Sequence, residues 1–150
     1  MAEFDALLDR ARSHASRYLQ EQPVRHVGAV ASQQELVAAL RTPLPKRGED
    51  AGSVLDLLAS QAARGAVASG SPRYFGFVIG GSHPVALAAD WLVSTWDQNA
   101  GIYATSPLSA VIEDVAAEWL VKLFDLPGGS RAGFVTGCQM ASGTCLAAAR

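Results

Sequence analysis

At 150 residues the chain is long enough for one ordinary domain, and its net charge of −2 excludes a surface built to hold a polyanion such as nucleic acid. Apolar residues make up 49 % and charged residues 17 %, a surplus that predicts surface meant to be covered by more chain or by a partner subunit. The two cysteines, Cys138 and Cys145, have no second Cys or His at zinc spacing, which excludes a disulfide framework, predicts no metal centre and fits a reducing, cytoplasmic setting.

No apolar run approaches the roughly 20 residues needed to span a bilayer. Met1 to Glu21 is charged throughout and lacks the apolar stretch of a secretory signal, so a soluble protein is expected. This first segment predicts an amphipathic helix. Phe4, Leu7, Leu8, Ala11, Ala15, Tyr18 and Leu19 recur at three- and four-residue steps, His14 falls on the polar side, and Pro23 ends the run. Such a stripe needs something to lie against. Ser32-Gln33-Gln34-Glu35 matches a capping box that opens a short helix to about Leu40, and the two prolines in Thr42 to Gly48 make a loop. Ser53 is expected to cap the next helix, with Val54, Leu57, Leu58 and Ala62 on its apolar face.

From Ser71 to Gly81 the chain is aromatic and glycine-rich, which suits either a buried extended connection or the wall of a cleft. Pro84 starts a helix running from Val85 to about Gln98 and burying Leu87, Trp91, Leu92 and Val93, with a break at Asn99-Ala100-Gly101. Ser106-Pro107 opens another helix through Trp119 to Phe124, with Glu118 and Lys122 spaced as a surface pair, and Pro127-Gly128-Gly129 ends it. Gly133-Phe134-Val135-Thr136 then reads as a short strand.

That strand runs into a glycine-bounded turn, Gly137 to Gly143, before the helix-forming run to Arg150. A strand-turn-helix junction gathers free backbone N–H groups at the positive end of a helix dipole and can hold an anion without Lys or Arg. Thr136, Ser142 and Thr144 offer hydroxyl donors. Neither nucleotide motif fits: no Lys follows Gly143, and no glycine lies between Gly137 and Gly143. The pattern by itself leaves open both phosphate binding and plain packing.

Taken in order, Ser71-Pro72-Arg73-Tyr74-Phe75, Asp90 to Thr95, Asn99 to Tyr103, Ser106-Pro107 and Gly133 to Arg150 resemble the group II pyridoxal-phosphate-dependent amino-acid decarboxylases. The resemblance covers about half the chain. It implies an α/β protein in which residues 1–70 form a helical arm that packs across a homodimer. Residues 71–150 would begin the cofactor-binding large domain of a fold-type-I enzyme. Pyridoxal phosphate would be the cofactor, an amino acid the substrate, and release of its α-carboxylate as carbon dioxide the reaction. Gly137, Cys138, Gln139 and Met140 match the family's phosphate loop, with the N–H groups of Cys138, Gln139 and Met140 as donors. Phe77 and Ile79 fall where the family lines its substrate pocket, and Asn99 and Tyr103 in a segment that often reaches the neighbouring subunit's site.

The family's ring-stacking His, its Asp on the pyridine nitrogen and its Schiff-base Lys all lie beyond the phosphate loop. Lys46 and Lys122 match none of them, so no catalytic residue is expected here and the chain alone should be inactive. An aminotransferase or lyase of the same fold, and a truncated, non-catalytic dimerisation module, are the alternative expectations. Ser71 stands where the family usually has a His, and the loop lacks the usual Ser/Thr-rich form, so the resemblance carries no substrate identity.

Overall fold

The computed structural model describes all 150 residues as six helices in two units, Met1–Leu87 and Ala88–Arg150. The first unit holds α1 (Ala2–Glu21), α2 (Gln33–Leu40) and α3 (Ala51–Gly65); α4 (Pro84–Trp96) begins in it and ends in the second, which adds α5 (Pro107–Leu123) and α6 (Cys138–Ala149).

In the first unit α1 and α2 both pack on α3. Glu3 and Asp5 place negative charge in the first turn of α1, where the helix dipole favours it. Leu7, Ala11, His14, Ala15 and Tyr18 form its half-buried stripe, while Phe4, Leu8 and Leu19 stay exposed. His14 is therefore on the packed side, contrary to the polar side expected: its Nε2 lies 2.8 Å from Asp56 Oδ1 of α3, which Arg10 also approaches at 3.5 Å. The capping box of α2 forms as expected. Ser32 Oγ accepts the Glu35 N–H at 3.2 Å, and the Ser32 N–H reaches Glu35 Oε2 at 2.8 Å.

Two expectations for α3 are corrected. Its cap is Asp50, whose Oδ2 accepts the Ser53 N–H at 2.8 Å; Ser53 sits inside the first turn as donor. Its inward face is Gly52, Leu55, Ala59 and Ala62, whereas Val54, Leu57 and Leu58 are turned out. The helix is apolar on two sides, and the smaller side lets the helices approach closely. At Gly65 a Cβ would come within 2.9 Å of Leu36 Cδ2, so α2 and α3 meet at a point where only glycine fits without a shift.

In the second unit the helices do not pack on one another as α1 and α3 do. Asp97 and Asp125 follow the ends of α4 and α5 in left-handed conformation, at φ 47° and 49°, so both helices stop earlier than the glycines and prolines beyond them suggested. None of the apolar residues of α4 or α5 is fully buried, Leu87, Trp91, Leu92 and Val93 included. The Ser106 side chain does not cap α5. Its hydroxyl meets the Ser109 hydroxyl at 2.6 Å, and the helix starts on the pre-set φ of Pro107. Glu118 and Lys122 make no ion pair: the Arg–carboxylate pairs, like the His14–Asp56 contact, all lie in the first unit.

No strand forms. Residues 133–136, expected as a strand, form no backbone ladder, because a strand is defined by a partner and these 150 residues offer none. The α/β architecture expected from the sequence is thus not present within the chain. The uncovered apolar side chains of the second unit show the same deficit: Trp119, Leu123, Phe124 and Phe134 are each more than half exposed.

Candidate functional site

The turn expected from Gly137 to Gly143 is almost entirely helix. α6 begins at Cys138, the Ala141 N–H already donates to the Gly137 carbonyl at 3.0 Å, and Gly143 lies mid-helix. Gly137 is the hinge into it, with φ 145° and ψ 177°, a region open in practice only to glycine. A Cβ there would have nothing within 4 Å, so the requirement is one of backbone and not of space.

The first three N–H groups of α6, on Cys138, Gln139 and Met140, lie before the first intrahelical bond and have no backbone partner. No side chain caps them. Three unpaired donors, an open approach at Gly137 and the helix dipole match a phosphate group, which brings acceptor oxygens and negative charge. Thr144 cannot contribute as expected, since its hydroxyl donates back to the Met140 carbonyl at 2.8 Å. Thr136 and Ser142 make no side-chain hydrogen bond, and Cys138 is exposed. A phosphate fits here.

The other expected site residues occupy two loops. In the first unit Phe77 is 91 % exposed, and both it and Val78 have φ 55°. Ile79 is half exposed, and its N–H points to the Gly76 carbonyl at 3.4 Å. In the second unit Asn99 is spent on its own turn: its Oδ1 accepts the Gly101 N–H at 3.1 Å and its carbonyl accepts the Thr105 hydroxyl at 2.7 Å. Tyr103 stands out from that turn, 66 % exposed. Thr105, absent from the sequence reading, also donates to the Ile102 carbonyl at 3.0 Å and so closes the loop.

A cavity of about 620 Å³ lies in the second unit among Val93, Trp96, Leu108, Ile112 and Phe134, with Gln98, Ser109 and Glu113 at its edge. It touches neither the α6 N-terminus nor Asn99 and Tyr103. Apolar side chains of two helices that do not pack together line it, which marks an uncovered core face more than a ligand site.

No protein-family profile matches the chain. Solved structures do. Mouse CSAD superposes with a TM-score of 0.72 at 20 % identity over 89 % of this chain and 27 % of its own. Rhodiola rosea 4-hydroxyphenylacetaldehyde synthase gives 0.74 at 20 % over 85 % of this chain and 27 % of its own. Oryza sativa TDC, solved with PLP and tryptamine, gives 0.76 at 22 % over 88 % and 29 %. The chain therefore shares the fold of a segment of these proteins and spans a little over a quarter of their length. They belong to the group II decarboxylase family that the sequence resembles.

Proposed function

We propose that this chain is the N-terminal part of a pyridoxal-phosphate-dependent amino-acid decarboxylase of fold type I. Residues 1–70 form an arm that packs across a homodimer, and residues 71–150 begin the large domain. Cys138, Gln139 and Met140 hold the cofactor's phosphate on their backbone N–H groups, with Gly137 setting the entry angle. Phe77 and Ile79 wall the amino-acid pocket, and Asn99 and Tyr103 belong to a segment that reaches the neighbouring subunit's site. When bound, pyridoxal phosphate supplies an electron sink for loss of the α-carboxylate. The chain's own residues bind and orient: the cradle fixes the phosphate, and the apolar wall excludes water.

The observation that carries this reading is the glycine-hinged N-terminus of α6 with its three unpaired donors, in a chain that shares its fold with the three decarboxylase-family structures. The uncovered apolar faces of the second unit support it too, since a large domain would supply the missing sheet. The chain alone is expected to be inactive. Its lysines, Lys46 in a loop and Lys122 near the end of α5, lie outside the α6 junction in sequence.

The test is cofactor and product analysis of the full-length protein. Visible absorbance from bound pyridoxal phosphate and release of carbon dioxide from an amino acid are expected. A protein that binds no pyridoxal phosphate would overturn the reading in favour of a dimerisation module. One structural relative is named for an aldehyde product, so a second outcome within the fold is carbon dioxide accompanied by aldehyde. A keto acid without carbon dioxide would assign an aminotransferase.

A further inference from the structure

The loop that carries Phe77 and Ile79 is closed at its base. Gly70 and Gly81 pass so near each other that a Cβ on Gly81 would lie 3.6 Å from the Gly70 Cα, and a Cβ on Gly70 would meet Gln22 Nε2, just past the end of α1, at 2.7 Å. Segments of this length with adjoining ends behave as compact loops whose position is set at the neck and by a few internal ties. Beyond the neck, Phe75, Phe77 and Val78 are almost fully exposed, and no backbone bond longer than a local turn reaches residues 75–81.

One side chain of the loop does reach out. Arg73 Nη2 donates to the Arg25 carbonyl, 48 positions away in sequence. Arg25 is itself held twice: its guanidinium lies 4.7 Å over the Tyr18 ring of α1, and its Nη2 donates to the Ala63 carbonyl of α3 at 2.5 Å. Nearby, the Ala68 N–H donates to the Val27 carbonyl at 2.8 Å, and Ser71, at 5 % exposure, is buried at the loop's first turn. A continuous chain of contacts thus runs from α1 and α3 through Arg25 and Arg73 to the base of the exposed wall. The left-handed backbone at Phe77 and Val78 gives that chain something to maintain. Two successive non-glycine residues in this region, one of them β-branched, are costly, and with both side chains exposed the ties at the loop's base are what is left to hold them.

We infer that Arg73 is a positioning residue for the wall: by clasping the Arg25 carbonyl it transmits the packing of α1 on α3 to the orientation of Phe77 and Ile79. This rests on the proposed reading of those two residues as pocket wall. Arg73 itself touches neither substrate nor cofactor in that reading. Its loss should weaken substrate binding while leaving the chemical step intact.

The test uses the full-length protein with Arg73→Met, which keeps the aliphatic stem and removes every donor, and Arg73→Lys, which keeps a charged donor. Pyridoxal-phosphate absorbance is recorded first, then carbon dioxide release from L-glutamate, cysteine sulfinate, L-tyrosine and L-tryptophan. For the best of these, Arg73→Met should raise KM about tenfold, the effect of losing one charge-assisted hydrogen bond, with kcat within about twofold. Arg73→Lys should recover most of the loss. An unchanged KM, or equal loss in both variants, overturns the inference. Amide hydrogen exchange gives a readout independent of activity: the Tyr74 and Ile79 amides should exchange faster in Arg73→Met than in wild type or Arg73→Lys. A wild-type protein without bound cofactor sinks the functional reading alone, and exchange then still decides the clasp. Identical exchange in all three proteins removes it.

Discussion

Gly137 concentrates the site's requirements in a single residue. At φ 145° and ψ 177° it adopts a backbone that an L residue holds only at a cost of about 1–3 kcal/mol, although a methyl group would meet no atom. Gly137→Ala therefore acts on conformation alone. Either the strain stays or the first turn of α6 rotates and its three donors lose their common aim. In the full-length protein we expect pyridoxal-phosphate affinity to fall by about tenfold or more, measured by equilibrium titration, with little change in helix content. Unchanged affinity would show that the cradle is not at this junction. Thr144, beside Ser142, illustrates the opposite lesson at the same scale. Both hydroxyls look available in the sequence, but only that of Ser142 stays free, while the Thr144 hydroxyl is turned back onto the Met140 carbonyl of its own helix.

Among the elements, α2 and α3 begin on carboxylates that do measurable electrostatic duty. Hydrogen bonds from the Ser32 backbone and hydroxyl, aided by Arg64 at 2.9 Å, hold the Glu35 carboxyl below the usual carboxylate range; the Ser53 backbone and hydroxyl do the same for Asp50. A carboxyl with a lowered folded-state pKa stabilises the fold above its unfolded pKa and loses that contribution as pH falls through the folded value. The urea midpoint of the chain, followed by circular dichroism, should therefore drop on acidification from about pH 6 to about pH 3, and less steeply in Glu35→Gln. A flat profile would contradict the caps. The capping box was legible in sequence because all its partners lie within four residues. The start of α3 was misread because Asp50 and Ser53 are both good caps, and only geometry shows which one accepts. His14 and Asp56, 42 apart, and Arg25 and Arg73, 48 apart, left no local pattern at all. The helix over the glycine-bounded turn was missed for a different reason. Gly143 costs a helix only about 1 kcal/mol, which the surrounding Ala, Met and Leu residues outweigh.

For the molecule as a whole, large apolar side chains stand uncovered in each unit, more than a free-standing domain of this length leaves exposed. The sequence carried this in its apolar surplus but not its location, which needed the faces of α3, α4 and α5. The strand at 133–136 was legible as residues and absent as structure, because pairing is supplied from outside the segment. We expect the 150-residue chain on its own to self-associate, with sedimentation velocity showing species larger than 15.7 kDa and an unfolding midpoint that moves with concentration. A single monomer with a sharp, concentration-independent transition would argue against uncovered faces.

The closed neck at Gly70 and Gly81 also bears on how the chain meets proteases. Phe75 and Phe77, 94 % and 91 % exposed, present a cleavable aromatic loop, yet the cut would fall between two segments whose backbones approach each other at Gly70 and Gly81. A nick there gives two fragments on a denaturing gel, and gel filtration of the nicked protein reads whether the neck holds them together. Resistance to that nick reports whether other chain covers the loop.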